Sequence, residues 1–428
     1  MECLPQDVVL DILSRLPITS LVQSKSVCRS WRSIIQGSLL ANKHLSHMSD
    51  YDPGIIFQSH WPSQNQYYFV DFAAYPEGNK ILKKISFSTK HANLVGSCNG
   101  LLCFCNASQI HICNPLTKDS IELPKLLKGP GEVGILGFGF SPTTKEYKLI
   151  EIVYQRKRPG VWSHVAVSNP FQAEVRILTL GGSRWRSLGM VPYRFIRQPS
   201  QVMVSGRLHW RSQLGKYNID NQLISFDLAA ETFQEVSKPD CRSFNRGFYE
   251  LINLQGHLSA AASNASGGLE IWVMKEYNIK ESWIKEFSIG GYLPKELQRI
   301  NARIHSPRSV FRAICRFRSG EILLEHRSKA LVLYDPVHET FKDLTFEGAP
   351  NWFKMVVHVG SLIINEFIVM LLDSKPKWDQ RPISPPLCAW EIDDPFPISL
   401  RFAFKWLGVL MEKLRSSTLP SSFSSNRR

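Results

Sequence analysis

Leu331-Val332-Leu333-Tyr334-Asp335-Pro336, followed after two residues by Glu339-Thr340-Phe341-Lys342-Asp343-Leu344, is the stretch on which the fold turns. Two short runs rich in β-branched and aromatic residues flank an Asp-Pro turn, which reads as a β-hairpin. A near copy is Leu223-Ile224-Ser225-Phe226-Asp227 before Glu231-Thr232-Phe233-Gln234-Glu235-Val236. His111-Ile112-Cys113-Asn114-Pro115 before Ile121-Glu122-Leu123-Pro124 is a looser one, as are residues 175–188 and 269–287.

A second kind of block precedes these hairpins. Val204-Ser205-Gly206-Arg207-Leu208-His209-Trp210 is echoed by Leu254-Gln255-Gly256-His257-Leu258, by Arg318-Ser319-Gly320-Glu321-Ile322-Leu323 and by Cys98-Asn99-Gly100-Leu101-Leu102-Cys103. Each is a tight turn, where glycine supplies a positive φ, leading into an apolar strand. Strand-built repeats at intervals of about 40 to 60 residues predict propeller blades. About six are expected, near 55–93, 94–125, 134–190, 200–239, 248–290 and 311–346, with a closing strand within 353–364. The competing arrangement is an irregular β-sandwich with coincidental hairpins.

The first fifty residues have a different texture. Leu4-Pro5 opens a helical run in which Val9, Ile12, Leu13 and Leu16 share a face, Asp7 and Asp11 lie near the positive end, and Pro17 stops the helix. Thr19 or Ser20 is expected to cap a second short helix carrying Leu21 and Val22. Val27, Trp31, Ile34 and Ile35 mark a third. Periodicity alone leaves two readings level: a three-helix unit packed on the rest of the chain, or one whose apolar surface at Leu4, Val8, Leu16, Val27 and Trp31 stays open for a partner.

The residues themselves decide between them. Leu4-Pro5-Gln6-Asp7-Val8-Val9-Leu10-Asp11-Ile12-Leu13-Ser14-Arg15-Leu16-Pro17, the continuation Lys25-Ser26-Val27-Cys28-Arg29-Ser30-Trp31-Arg32-Ser33-Ile34-Ile35 and the late His44-Leu45 closely resemble an F-box over residues 2–46. Ser24 departs from the family pattern, where a bulky apolar residue is usual, and so does Leu40, where Phe is frequent. Both changes are expected to loosen the local core or weaken adaptor grip modestly. The resemblance implies docking on a Skp-family adaptor, and through it on a cullin and a RING subunit. By motif position Leu4, Pro5, Val8, Ile12, Leu16, Pro17, Leu21, Val27 and Trp31 would form or support that contact.

The strand blocks in turn resemble the F-box-associated, kelch-like domain of plant F-box proteins. The carriers are Gly96-Ser97-Cys98-Asn99-Gly100-Leu101, Asn114-Pro115, Gly137-Phe138-Gly139-Phe140 with Tyr147-Lys148, Gly206-Arg207-Leu208-His209-Trp210 and Tyr334-Asp335-Pro336. That resemblance spans residues 90–365 and implies capture of a protein target for ubiquitin transfer. The expected architecture is therefore a small all-α F-box of three helices at 1–47, an all-β propeller of about six blades at 51–365, and a variable, partly disordered tail at 366–428.

Composition agrees with a folded protein: 428 residues, 43% hydrophobic and 11% aromatic. The net charge of +14 invites a nucleic-acid or acidic-membrane reading, but the surplus is scattered, so a solvated basic surface or an acidic protein target explains it better. Nine cysteines, an odd number spread along the chain, fit buried free thiols in a reducing compartment. No secretory signal is expected in Met-Glu-Cys-Leu-Pro-Gln-Asp, and 355–372, the nearest candidate membrane span, contains His358, Asn365 and Glu366. It reads better as a buried strand followed by the start of the tail. The expected location is cytoplasm or nucleus.

Candidate chemistry is sparse. Phosphate-loop, His-Glu-x-x-His and nucleophile-elbow motifs are all missing from the sequence. Gly137-Phe138-Gly139 is too short for a dinucleotide fingerprint and suits a strand turn. Cys98, Cys103, Cys105 and Cys113 with His111 lack the paired Cys-x-x-Cys spacing of zinc knuckles, so neither metal nor cofactor is called for. Arg299, Arg303, Arg308, Arg312, Arg316 and Arg318, with Phe311 and Phe317 interleaved, form a basic stretch. It is read first as a solvated loop, and otherwise as a surface for acidic protein segments or nucleic acid. Arg303, Arg308 and Arg312 are its candidate substrate contacts. The leading functional expectation is a non-catalytic substrate receptor of a ubiquitin ligase. The alternatives are an adaptor-binding protein acting outside ubiquitination, or a basic propeller binding nucleic acid or a small ligand.

Overall fold

The computed structural model describes residues 5–47, 51–61, 66–72, 82–87, 93–106, 109–126, 132–155, 173–196, 202–213, 221–239, 241, 244, 249–264, 268–292, 294, 311–346, 348–362 and 388–390. Four helices come first, α1 (Gln6–Ser14), α2 (Ile18–Ser24), α3 (Arg29–Ile35) and α4 (Ser38–His47). Pro5 sits at the N-cap of α1 and Pro17 at that of α2, so Thr19 and Ser20 lie inside α2 rather than capping it. Cys28 caps α3, its Sγ accepting the Trp31 N–H at 3.4 Å. The fourth helix was not expected. It begins directly after Gly37, and its buried residues Leu40, Ala41 and His44 close the bundle.

All other described strands form six sheets. Blade I holds β1 (Gly54–Trp61), β2 (Tyr67–Val70) and β3 (Lys83–Phe87), and blade II holds β4 (Asn93–Cys98), β5 (Leu101–Asn106), β6 (Gln109–Cys113) and β7 (Ser120–Glu122). Blade III comprises β8 (Glu132–Ser141), β9 (Glu146–Gln155), β10 (Ala173–Thr179) and β11 (Arg186–Val191). Blade IV is built of β12 (Arg194–Phe195), β13 (Val202–Val204), β14 (Arg207–Gln213), β15 (Asn221–Asp227) and β16 (Thr232–Val236). Blade V follows with β17 (Tyr249–Leu254), β18 (His257–Ser263), β19 (Leu269–Met274) and β20 (Trp283–Ile289). Blade VI has β21 (Phe311–Arg316), β22 (Ile322–His326), β23 (Ala330–Asp335) and β24 (Thr340–Leu344).

The ring closes where the sequence places a closing strand. β25 (Trp352–His358) pairs antiparallel with β1, so blade I takes its innermost strand from the far end of the chain. Its outer edge gains β26 (Cys388–Trp390), which pairs with β3. That strand falls inside the stretch read as a variable tail; the rest of that stretch beyond residue 365 lies outside the described residues.

Six apolar clusters seal the six seams between neighbouring blades. Alternation along one strand feeds two seams at once. In β5, Cys103 faces blade III while Leu102 and Phe104 face blade I, and Cys113 of β6 also joins the blade I seam. Cys98 and Cys103 are buried free thiols, and burial holds the Cys98 thiol up at about 12. The hairpins repeat at residue level. Asn114, Asp227 and Asp335 each accept, at 2.8–2.9 Å, the backbone N–H two residues on, and Lys118, Glu231 and Glu339 then take positive φ. Asn99-Gly100, Ser205-Gly206 and Gln255-Gly256 all have positive φ in sequence, the two-residue turn that suits a twisted hairpin.

One expected turn is not one. Gly137 and Gly139 lie inside β8, where a Cβ at Gly137 would come within 2.9 Å of Leu208 and one at Gly139 within 2.7 Å of Leu228. Glycine there admits the side chains of blade IV.

Candidate functional site: two opposite faces

Antiparallel order places the hairpins between first and second, and between third and fourth, strands of every blade on one face of the ring. The F-box sits on that face. Leu13, Leu16, Ile18, Leu21, Ile35, Leu40 and Ala41 form one cluster with Leu116, from the β6–β7 turn, and Leu362, just past β25. A Cβ at Gly360 would lie 2.7 Å from both Ile18 and Leu116, which shows how closely helix and ring approach. Polar ties secure the same contact. Thr19 Oγ1 donates to buried Asp71 at 2.9 Å, and the Tyr51 hydroxyl donates to the Arg15 carbonyl. Within the bundle, His44 Nε2 lies 3.0 Å from the Leu16 carbonyl, and burial holds its imidazole below the usual range.

This docking divides the residues expected at the adaptor. Ile12, Leu16, Pro17 and Leu21 are buried, the last completely. Pro5 is exposed, Val8 is 39% exposed, Val27 is 49% exposed and Trp31 is half-buried. Leu4 lies outside the described residues. Leu39, 67% exposed at the start of α4, belongs with the open set and was missed because α4 was missed. The Ser38-Leu39-Leu40 run held the signal, one leucine turned inward and one outward. The two departures from the F-box pattern both point inward. Ser24 is buried with its hydroxyl donating to the Ser20 carbonyl at 2.8 Å, and Leu40 fills the core completely.

The opposite face carries the loops between second and third strands and the links from one blade to the next. Arg303 and Arg308 belong to a link that is outside the described residues. Arg312, at the start of β21, is placed: its guanidinium pairs with Glu325 at 2.9 Å and lies 3.9 Å from Glu250, with little of it exposed. The stretch has no acid of its own, but neighbouring strands supply two. Glu325 in turn accepts the Ser328 N–H and hydroxyl, both at 3.0 Å, so this cluster holds the β22–β23 turn.

Beside that turn lies a groove of about 560 Å³ between blades VI and I. Phe57, Leu331, Leu344 and Phe353 line it together with Lys329, Phe346, Pro350 and Trp352. Trp352 is 51% exposed, with the Lys329 ammonium 5.4 Å from its ring centre. Nothing in the sequence reading singled out this groove, because its parts come from a hairpin turn and an inter-blade link that only ring closure brings together.

Helical bundle and propeller together define a class of protein, and comparison with known families names it. Residues 1–42 match the F-box domain and residues 48–371 the F-box associated beta propeller domain. The chain belongs to the F-box proteins with an F-box-associated propeller, and it is a plant F-box protein. It is 40% identical to F-box protein At3g07870 of Arabidopsis thaliana over 85% of this chain and 92% of that one. F-box/kelch-repeat protein At3g23880 of the same plant is 26% identical over 67% of this chain and 80% of its own length. F-box protein CPR1, also from Arabidopsis thaliana, is 23% identical over 85% and 89%.

Proposed function

We propose that this chain is the substrate-recognition subunit of an SCF-type ubiquitin ligase, non-catalytic itself. The F-box grips a Skp-family adaptor, and through it a cullin and RING subunit, while the far face of the propeller holds a protein target. The observation that carries the reading is the division of the F-box surface. One apolar side is consumed by the propeller, and the other leaves Pro5, Val8, Val27, Trp31 and Leu39 accessible. Exposed aliphatic and aromatic residues collected on short helices suit a partner that supplies the missing half of the core. Transfer then works by proximity: the receptor raises the concentration of target lysines around the charged enzyme without supplying a catalytic group. Free buried cysteines support placing this work in the cytoplasm or nucleus.

The test is co-purification with a Skp-family adaptor and cullin, comparing the natural chain with a Val8→Asp, Val27→Asp double variant. Both sites are exposed, so the variant keeps its fold. Capture by the natural chain and loss in the variant support the reading. A folded natural chain that captures no adaptor would sink it, and adaptor without cullin would restrict it to assembly outside ubiquitination.

A further inference from the structure

We propose that the groove between blades VI and I takes a short segment of the target in which an aromatic or aliphatic side chain stands next to a carboxylate. This rests on the receptor reading and gives it a substrate class. The lining of Phe57, Leu331, Leu344 and Phe353 is apolar, and a volume of about 560 Å³ lies in the range of built ligand sites. Such a lining accepts an apolar anchor.

The turn that supplies Lys329 is already set. Arg327 and Ser328 have φ of 53° and 57°, the Lys329 N–H donates to the His326 carbonyl at 3.0 Å, and the Phe353 N–H donates to the Ser328 carbonyl at 2.9 Å. Likewise the Ala349 N–H donates to the Phe346 carbonyl at 3.1 Å, next to Gly348 at φ 74°. The backbone of the turn at residues 326–329 is thus held before a ligand arrives, which favours affinity.

Charge selects the neighbour of the anchor. Lys329 lines the groove, its ammonium over the Trp352 ring, and among the described residues no carboxylate pairs with it. Glu325, nearest in sequence, is engaged by Arg312 and Ser328. A basic segment would be repelled there, and a wholly apolar one would leave Lys329 without a counter-charge. Arg312, a candidate substrate contact from the sequence, pairs here with Glu325, which also holds Ser328 of the turn.

The experiment pans a phage-displayed library of random dodecapeptides on the full chain, on Lys329→Glu and on Trp352→Ala, each checked for an unchanged melting profile. The natural chain should enrich peptides with an aromatic or aliphatic residue beside Asp or Glu. A synthetic peptide of that kind should bind Trp352→Ala at least tenfold more weakly, and Lys329→Glu should shift the enriched neighbour toward Lys or Arg. Enrichment of nothing would overturn the proposal, since the groove would then be filled by this chain or by a second copy. Equal binding to all three proteins would overturn it too, by locating the peptide elsewhere. Adaptor capture measured on the same preparations separates the failures: with capture intact only the groove assignment falls, and without it the receptor reading falls.

Discussion

The seam between blades VI and I and the core of the F-box both join residues from opposite ends of the chain, yet they are held in different ways. In the seam, Leu323, Leu331 and Leu333 of blade VI meet Ile55, Phe57, Phe353 and Met355 of blade I, whose strands β1 and β25 bring the two ends of the ring together by hydrogen bonds. In the F-box, Leu13, Leu21 and Leu40 meet Leu116 and Leu362 with no strand pairing between bundle and ring. Helices of seven to ten residues are too short to persist in water by themselves. The propeller therefore completes a core that the helices only begin, and the sign of this is which F-box residues became inaccessible.

Four measurements would break or sharpen that contrast. Leu21→Ala, at a completely buried site, should cost about 2–5 kcal/mol. Hydrogen exchange should quicken at least tenfold across α1 to α4 and stay unchanged in β21 to β24. Equal loss of protection in both would mean that bundle and ring unfold as one unit and the contrast is false.

Acid should act mainly on the ring. Burial holds His209 and His358 at about 3, while an unfolded imidazole takes its proton near 6.5. Their folded values are depressed, so their contribution is complete above about pH 7 and is lost as pH falls through the unfolded value. At pH 5.5 the two together should cost about 3 kcal/mol. His358 lies 2.9 Å from Ser97 Oγ across the seam between blades I and II, so β25 should lose exchange protection in acid. A melting midpoint that does not move between pH 8 and pH 5.5 would remove these histidines from the account.

Thr19→Val keeps the shape of the helix and removes one donor from buried Asp71, and should cost about 1–2 kcal/mol. The amides of α2 report it first; no change there would mean that the apolar cluster alone carries the docking. Smallest of all, Val27→Ala should alter stability by less than about 0.5 kcal/mol while weakening adaptor capture. A stability loss comparable to that of Leu21→Ala would place Val27 in the core and contradict its exposure.

Much of the architecture could be read from residues whose local chemistry admits few conformations. Asn99-Gly100 and Asp335-Pro336 announce their turns, and the two near-copy hairpins announce the repeat, because turn geometry is set within four residues. Other features depend on distant neighbours. Gly137 and Gly139 looked like turn residues but make room for blade IV, and Arg312 looked uncompensated until Glu250 and Glu325 arrived from other strands. α4 was hidden by weak amphipathy: its buried positions are Leu40, Ala41 and His44, and one histidine disguises the apolar face. The groove was the least legible, since none of its parts is a site before the ring closes.

Closure by β25 also sets a timetable for synthesis. The F-box helices are synthesised before the ring, but blade I lacks its innermost strand until residues 352–358 follow, and the helical core waits for Leu362. A nascent or truncated chain would thus present its helices without the platform that orients them. Completion of the helical core is tied to the arrival of β25 and Leu362, which makes the order of translation part of how the bundle is held.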